Sequence, residues 1–457
     1  MNDYDTSRMY ELLGEAGYAA VSSPENADLV VLNSCAIREK SEHKLVSEVG
    51  RYRELKASKP DLVLAVGGCV AQQEGDRLLL RAPMIDFTFG PDMIPQLPEL
   101  VRRHHLGERF AATAVIDVED YRFLSANPRP QDVAVTALVT IQKGCDNYCA
   151  YCIVPATRGK EVSRPADEVV AEVERFVSLG AREVTLVGQN VNSYHGLDSP
   201  DGDDFAALLH RVATVPGLMR LRYTTSHPKD FTHQVALAHR DLPTLSRWVH
   251  LPVQSGSSRT LRRMVREYTR EQYLEKVHDL RALVPDISLS TDIIVGYPGE
   301  TDQDFAETVS LLEEVEYDFI YSFEYSPRPD TPALKLRLKD DVAPETKRVR
   351  LLELQRLQAA ISRRRLSRWV GRTVEVLVEG RATRSAEELC GRTTGNEMVN
   401  FPLPVGVNAS RLVGQMLPVR IAGAGRHTLL GTLEAIDATD RVGSAARPPI
   451  RRLAVLG

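Results

Sequence analysis

At 457 residues with 43% hydrophobic and 26% charged side chains, the chain has globular composition and length for about three domains, which excludes a disordered class. No stretch reaches the roughly eighteen apolar residues of a membrane helix, and the start Met1-Asn2-Asp3-Tyr4-Asp5 is too acidic for a signal peptide, so a cytoplasmic protein with no membrane contact is expected. A formal charge of −5 argues against a globally basic nucleic-acid binder but leaves room for a local patch, and six cysteines, three of them clustered, fit thiolate ligation better than a disulfide framework.

The chain opens with a helical pattern from Tyr4 to Ala16, then an apolar run from Asp28 to Leu32 that ends in Asn33-Ser34-Cys35. The rhythm repeats: a charged helix from Ile37 to Ala57 leads to Leu62 through Val66 and then Gly67-Gly68-Cys69. Phe87-Thr88-Phe89-Gly90 reads as a third strand before a helix to His105. Continuous apolar strands alternating with helices predict a small parallel α/β sheet over residues 1–105. Such sheets bind ligands outside the carboxyl ends of their strands, and Cys35 and Cys69 both sit at such ends, so two thiols can converge on one side. On these residues alone, two buried structural cysteines is the simpler reading. Residues 106–134, with little periodicity and Pro128 and Pro130 close together, read as a linker.

From Ala137 a strand-helix rhythm takes over. Six strands are predicted, Ala137 to Gln142, Glu183 to Val191, Met219 to Ser226, Trp248 to Gln254, Ile287 to Val295 and Asp318 to Tyr325. Helical patterns such as Pro165 to Leu179, Ser257 to Val284 and Thr301 to Val315 lie between them, with proline or threonine near their starts. Six units fall short of the eight of a closed barrel, so a partial (βα)6 barrel over residues 135–368 is expected, with its functional end at the C-terminal ends of the strands.

The first of those ends carries Gly144-Cys145-Asp146-Asn147-Tyr148-Cys149-Ala150-Tyr151-Cys152. Thiolates at the spacing Cys-x3-Cys-x2-Cys can bind three irons of a 4Fe-4S cube and leave the fourth open to a chelating cosubstrate. A structural zinc site would want a fourth ligand at finger-like spacing, and His195 and His227 stand in no such arrangement. Gly188-Gln189-Asn190 follows the second strand with amide and carbonyl groups able to hold a polar cosubstrate. His227 and His250 close the third and fourth strands, where hydrogen bonding to neighbouring loops is an equal reading, and Arg222 is placed to pair with a carboxylate. Gly296 and Gly299 after the fifth strand either let backbone approach a ligand or mark a simple strand-to-helix turn.

From Lys347 to Arg372 nine residues are Lys or Arg and only Glu353 is acidic, while Leu351, Leu354, Leu357 and Ile361 form an apolar stripe. A charge run like this is usually a solvated face, but the local excess of cations in an acidic protein favours a phosphate-binding strip for RNA. Alternating runs Thr373 to Gly380 and Leu417 to Ile421, with the glycine turn Gly391 to Asn396 between them, predict a small β-barrel over residues 369–435. Cys390 stands off every motif as an ordinary thiol, and residues 436–457, rich in Ala, Arg and Pro, are assigned no fold.

The run from Lys143-Gly144-Cys145 to Ile153-Val154-Pro155, with Arg158-Gly159-Lys160-Glu161 and Ser163-Arg164, resembles the tRNA-modifying methylthiotransferases of the radical S-adenosylmethionine superfamily. The resemblance covers nearly the whole chain. Gly188 to Tyr194 departs from the Gly-Gly-Glu of many superfamily members but resembles the methylthiotransferase form, which implies that Gly188, Gln189 and Asn190 bind the cosubstrate. Tyr151 resembles the residue that lies against the adenine, and Gly296 and Gly299 resemble a contact with the adenosine moiety. The final barrel resembles the TRAM domain, an OB-like RNA-binding module.

The family implies two 4Fe-4S clusters. One, on Cys145, Cys149 and Cys152, binds S-adenosylmethionine at its open iron and cleaves it to a 5′-deoxyadenosyl radical, which makes those cysteines catalytic. The other, auxiliary cluster takes three cysteines, of which Cys35 and Cys69 resemble the last two. The family's first ligand directly precedes a Gln-Met-Asn-x-x-Asp pattern whose tail matches Met1 to Asp5, so that cysteine is expected just upstream of residue 1, lost to a late start codon or truncation. If the chain truly starts at Met1, sulfur insertion is impaired.

The implied reaction is methylthiolation of C2 of N6-isopentenyladenosine beside the anticodon of tRNA, consuming two molecules of S-adenosylmethionine. Implied partners are tRNA and an electron donor such as flavodoxin or ferredoxin, acting on a monomer. A sister methylthiotransferase on threonylcarbamoyladenosine or a ribosomal-protein aspartate is the alternative enzyme, and an RNA-binding protein with sulfur insertion lost is the alternative class. Asn147 to Cys152 and Gly188 to Tyr194 tilt toward the isopentenyl branch.

Overall fold

The computed structural model describes residues 1–35, 39–197 and 204–434, with backbone alone for residues 39–43. Ile37 and residues 436–457 lie outside the described residues. Strands β1 (Leu29–Ser34), β2 (Val63–Gly68), β3 (Phe87–Phe89) and β4 (Phe110–Ala112) form a four-stranded parallel sheet in that order. Every residue of β2 and β3 is buried, which is why those runs are apolar without alternation. The expected sheet is present with one strand more than predicted. β4 falls in the stretch read as a linker, and three residues are too few to show a period. Stacking of Phe87 on Phe110, 5.5 Å between ring centroids, fixes it to the sheet edge.

The central region holds β5 (Thr136–Thr140), the short antiparallel pair β6 (Gln142–Lys143) and β7 (Val162–Ser163), then β8 (Glu183–Val187), β9 (Arg220–Tyr223), β10 (Trp248–His250), β11 (Ser288–Val295) and β12 (Phe319–Glu324). Two parallel three-stranded sheets, β5-β8-β9 and β10-β11-β12, meet through a bridge between Leu221 and Leu245. One apolar cluster, from Val139 through Leu221 and Val249 to Ile293, spans both, so the six strands form one partial barrel. Three strands, β8, β9 and β10, stop three or four residues short of their predicted ends, because the residues after them turn out of the extended region. Thr225 and Gln254, for example, have φ of 72°. Those ends become the loops of the site.

The long predicted helix from Ser257 to Val284 is two, Ser258–Arg263 and Arg270–Leu283. Val265 and Glu267 between them have φ of 57° and 56°, and Thr269 starts the second helix with a capping box. In the helix Pro344–Ser367 the predicted apolar stripe packs on the barrel, with Leu354 and Ile361 buried and Leu351 and Leu357 half-buried.

The phosphate-binding strip read from that helix is corrected. Lys347 pairs with Asp340, Arg348 with Glu345, Arg350 with Glu300 and Asp302, Arg364 with Glu316, and Arg365 and Arg368 with Asp318. Most of the strip's charge therefore ties the helix to the chain itself rather than facing a phosphate backbone.

Strands β13 (Thr373–Arg381), β14 (Glu388–Arg392), β15 (Met398–Pro402), β16 (Met416–Ala424) and β17 (Thr428–Leu433) close a barrel in the order β13-β14-β15-β17-β16 around Val376, Val399, Phe401 and Val419. The expected α/β architecture, parallel sheet, partial barrel and small β-barrel, is thus observed. Among the described residues no helix is long and apolar enough to cross a membrane.

Candidate cluster and cosubstrate site

The β6–β7 pair clamps the two ends of the loop that carries Cys145, Cys149 and Cys152. Gly144 opens that loop with φ of 75°, and a Cβ there would collide with the Lys160 carbonyl, so glycine is required. Cys145 N–H donates to Gly159 O at 3.3 Å and Glu161 N–H to the Asp146 carboxylate at 3.0 Å. Deeper in, Ala150 N–H donates to Met264 O at 2.9 Å and Ala150 O accepts from Ala333 N–H at 2.8 Å. The loop is irregular, yet its backbone is held from both sides.

Burial pushes the Cys145 thiol up to about 11 and the Cys152 thiol up to about 12, and the neighbouring Cys149 adds to both. The three sulfurs therefore share one buried, mutually repelling neighbourhood. Such a trio becomes a set of thiolates only when multivalent positive charge is supplied. Among the described residues no three His, Cys, Asp or Glu side chains gather closely enough for a single metal ion. A cube presents separate irons to separate sulfurs, and needs no such convergence.

Around Cys149, itself buried, Arg266 Nη1 lies 3.3 Å and His227 Nε2 3.8 Å from Sγ. The same Arg266 Nη1 is 3.3 Å from the Tyr151 hydroxyl. His250, at the end of β10, bonds Ser290 Oγ at 3.0 Å, a tether between strands.

The end of β8 faces this loop. Gln142 Oε1 accepts from Gln189 N–H at 2.8 Å and Asn190 N–H at 3.1 Å, and a Cβ on Gly188 would meet that same oxygen at 2.7 Å. Gln189 Oε1 in turn accepts from Gly144 N–H, directly before Cys145. Asn190 Nδ2 donates to Asp230 at 2.7 Å. The remaining amide atoms, Gln189 Nε2 and Asn190 Oδ1, are buried with no hydrogen-bond partner. One unused donor and one unused acceptor beside the thiols suit a ligand with both a carboxylate and an ammonium group.

Gly296 and Gly299, expected to contact a ligand, are also required as glycine by the turn they form. Their φ values are 70° and 79°, and added Cβ atoms would strike the Lys347 and Arg263 side chains. The close approach there is made by the chain itself.

In the N-terminal sheet, Ser34 and Gly68 are register partners, so Cys35 and Cys69 leave adjacent strands at the same level. Arg158, from the short helix after the cysteine loop, bonds Asp5 and lies within electrostatic reach of Cys69. Charge on Cys35 reaches the Met1 amino group. Ile153, next to Cys152, packs in the same apolar cluster as Cys69. A second tie, the buried pair Lys143–Asp92 at 2.7 Å, joins the loop's first strand to the N-terminal region. The two cysteine sets thus lie on either side of one interface. Sequence reading missed Asp92 and Arg266, which carry no motif; Asp5, Lys143 and Arg158 stood inside quoted patterns without an assigned role.

Comparison with known proteins follows the same divisions. Residues 139–312 match the family model described as the radical SAM superfamily, residues 367–433 the TRAM domain, and residues 1–90 the uncharacterized protein family UPF0004. The tRNA-2-methylthio-N(6)-dimethylallyladenosine synthase of Anaeromyxobacter dehalogenans (strain 2CP-C) is 49% identical over 437 residues, 95% of this chain and 92% of that one. The protein of the same name from Sorangium cellulosum (strain So ce56) is 47% identical over 473 residues, 98% of this chain and 93% of that one. Among solved structures, the radical S-adenosylmethionine methyltransferase TsrM from Kitasatospora setae superposes with a TM-score of 0.52 at 17% identity, over 72% of this chain and 73% of that one, a likeness of fold alone. With near full-length relatives at about half identity and the radical SAM model over its barrel, the chain belongs to the family of tRNA-2-methylthio-N(6)-dimethylallyladenosine synthases.

Proposed function

We propose that this chain adds a methylthio group to C2 of N6-dimethylallyladenosine beside the anticodon of tRNA. The observation that carries the reading is the juxtaposition of three neighbouring thiols with the unpartnered amide atoms of Gln189 and Asn190 at one end of the barrel, in a chain whose curated relatives bear that name. Cys145, Cys149 and Cys152 hold a 4Fe-4S cluster. When bound, that cluster supplies the electron that cleaves S-adenosylmethionine and so provides the hydrogen-abstracting radical. Gln189 Nε2 donates to the carboxylate of S-adenosylmethionine and Asn190 Oδ1 accepts from its ammonium group. Gly188 keeps the backbone close to Gln142, and Tyr151 lies against the adenine. The glycines at 296 and 299 shape the turn beneath it.

Cys35 and Cys69 hold an auxiliary 4Fe-4S cluster, the sulfur-bearing site. Arg158 links that site to the cysteine loop. The β-barrel of β13 to β17 contributes to tRNA binding, an electron donor of the flavodoxin or ferredoxin type reduces the cluster, and the enzyme works as a monomer in the cytoplasm. Nucleoside analysis of tRNA from a deletion strain tests the reading. The 2-methylthio group should vanish from dimethylallyladenosine and return with this gene, and an unchanged nucleoside profile would refute it.

A further inference from the structure

Arg266 is buried, 3% exposed, in the loop between the helices Ser258–Arg263 and Arg270–Leu283. Its guanidinium donates from Nε to Tyr268 Oη at 2.9 Å, from Nη2 to Pro252 O at 2.8 Å, and from Nη1 to Cys149 Sγ and Tyr151 Oη, each at 3.3 Å. Other buried arginines of the barrel have a carboxylate: Arg164 has Glu172, Arg220 and Arg222 share Glu183, and Arg350 has Glu300. Arg266 has none among the described residues. The neighbouring acid, Glu267, is engaged with Lys229 at 2.6 Å. A buried cation without a counter-charge costs several kcal/mol, so the fold must supply an anion by another route.

The groups around it that can ionise are the Tyr151 and Tyr268 phenols and the Cys149 thiol. Both hydroxyls are phenols, which are neutral at physiological pH and serve as hydrogen-bond donors and acceptors. Only the sulfur remains.

A second donor faces the same atom. Lys229 N–H donates to His227 Nδ1 at 3.2 Å, so Nδ1 carries no proton, and a neutral imidazole then bears its hydrogen on Nε2. That nitrogen is 3.8 Å from Cys149 Sγ. Cys152 Sγ, by contrast, receives a single backbone N–H, from Val154 at 3.4 Å.

We propose that Arg266, aided by His227, is a positioning residue that neutralises and hydrogen-bonds the Cys149 thiolate and thereby sets the reduction potential of the cluster. The inference rests on the reading that Cys145, Cys149 and Cys152 hold a 4Fe-4S cluster. Positive charge and hydrogen bonds at a ligand sulfur stabilise the more negative, reduced state and raise the potential. Cys149 becomes the electrically distinct corner of the trio.

The test uses the full chain, reconstituted anaerobically with iron and sulfide and titrated with dithionite, following the EPR signal that changes on adding S-adenosylmethionine. Arg266→Met should move the oxidised-to-reduced ratio at a fixed potential about tenfold toward oxidised, about 59 mV more negative for one electron. Arg266→Lys, which keeps the charge, should move it less, and His227→Gln should move it in the same direction by less than Met. Wild-type iron with an unshifted potential in Arg266→Met overturns the proposal. If Arg266→Met takes up no iron, unshifted potentials in both Arg266→Lys and His227→Gln overturn it instead. A wild-type chain that binds no iron overturns the cluster reading, and this inference with it.

Discussion

Ser34 stands opposite Gly68 in the parallel register of β1 and β2, and Ser34 Oγ donates to Gly67 O at 2.6 Å across the same strand ends. That locked register delivers Cys35 and Cys69 to one side of the sheet. If they hold a cluster separate from the one on the barrel loop, Cys35→Ala and Cys69→Ala should each lower reconstituted iron by up to about four per chain. Cleavage of S-adenosylmethionine should persist while methylthio product falls at least tenfold. Cys390→Ala, on the remote β-barrel, should change neither. Equal loss of cleavage and product in the Cys35 and Cys69 variants would argue against two separate sites.

Gly68 sits at the same junction with φ of 93°, and a Cβ there would run into the Ser34 carbonyl and the Asn33 side chain. Gly68→Ala should therefore cost more than about 1 kcal/mol, from the left-handed backbone and the backbone collision together. Gly14, in the helix Asn2–Glu15, meets nothing within 4 Å. Gly14→Ala should stabilise by about 0.5–1 kcal/mol. Opposite shifts of the thermal midpoint check the pair, and a neutral Gly68→Ala would mean that the β1–β2 end is looser than its register implies.

What could be read before folding was whatever repeats along the chain. The six barrel strands are legible from their recurrence between helical stretches, and β4 is not, because Phe110-Ala111-Ala112 offers no period. The cysteine loop is legible because its chemistry lies within a few residues. Arg266 is illegible because its meaning is a meeting with Cys149, 117 positions away, and a lone arginine after Met264-Val265 has no spacing to betray it. The basic helix shows the opposite error. Its cations are visible in the sequence, but the carboxylates that claim them, Glu300, Glu316 and Asp318, come from turns far upstream.

Glu183 begins β8 and is the shared counter-charge of Arg220, at 3.2 Å, and Arg222, at 3.0 Å. Burial and the repulsion of Arg222 hold the Arg220 guanidinium down to about 10. The same two arginines grip the C-terminal barrel, Arg220 Nη1 donating to Arg392 O at 2.9 Å and Arg222 Nη2 to Thr393 O at 3.0 Å. Glu183→Gln leaves two buried cations facing each other and should cost about 3–5 kcal/mol. Because the strain falls on the seam between the barrels, limited proteolysis should release a fragment near residue 369 faster than in wild type. An unchanged cleavage rate would show that the seam is held by other contacts.

His239 provides a pH dependence remote from the cysteines. Its Nδ1 donates to Ser246 O at 3.0 Å, which leaves Nε2 to accept from Tyr223 Oη at 2.7 Å. This arrangement needs the neutral ring, and burial holds the imidazole down to about 4 from its ordinary 6.5, against a smaller opposing pull from the Ser246 carbonyl. The folded state therefore refuses a proton that the unfolded chain accepts once the pH drops below 6.5. Stability is unaffected by this group above that pH, declines as the pH falls, and levels off below about 4, for a total loss of roughly 3 kcal/mol. In His239→Gln, whose amide can mimic the same donor and acceptor without titrating, the decline between pH 6.5 and 4.5 should be shallower by about 2–3 kcal/mol. Urea midpoints of the iron-free chain across that range measure it, and parallel curves for the two proteins would remove His239 from the account of acid sensitivity.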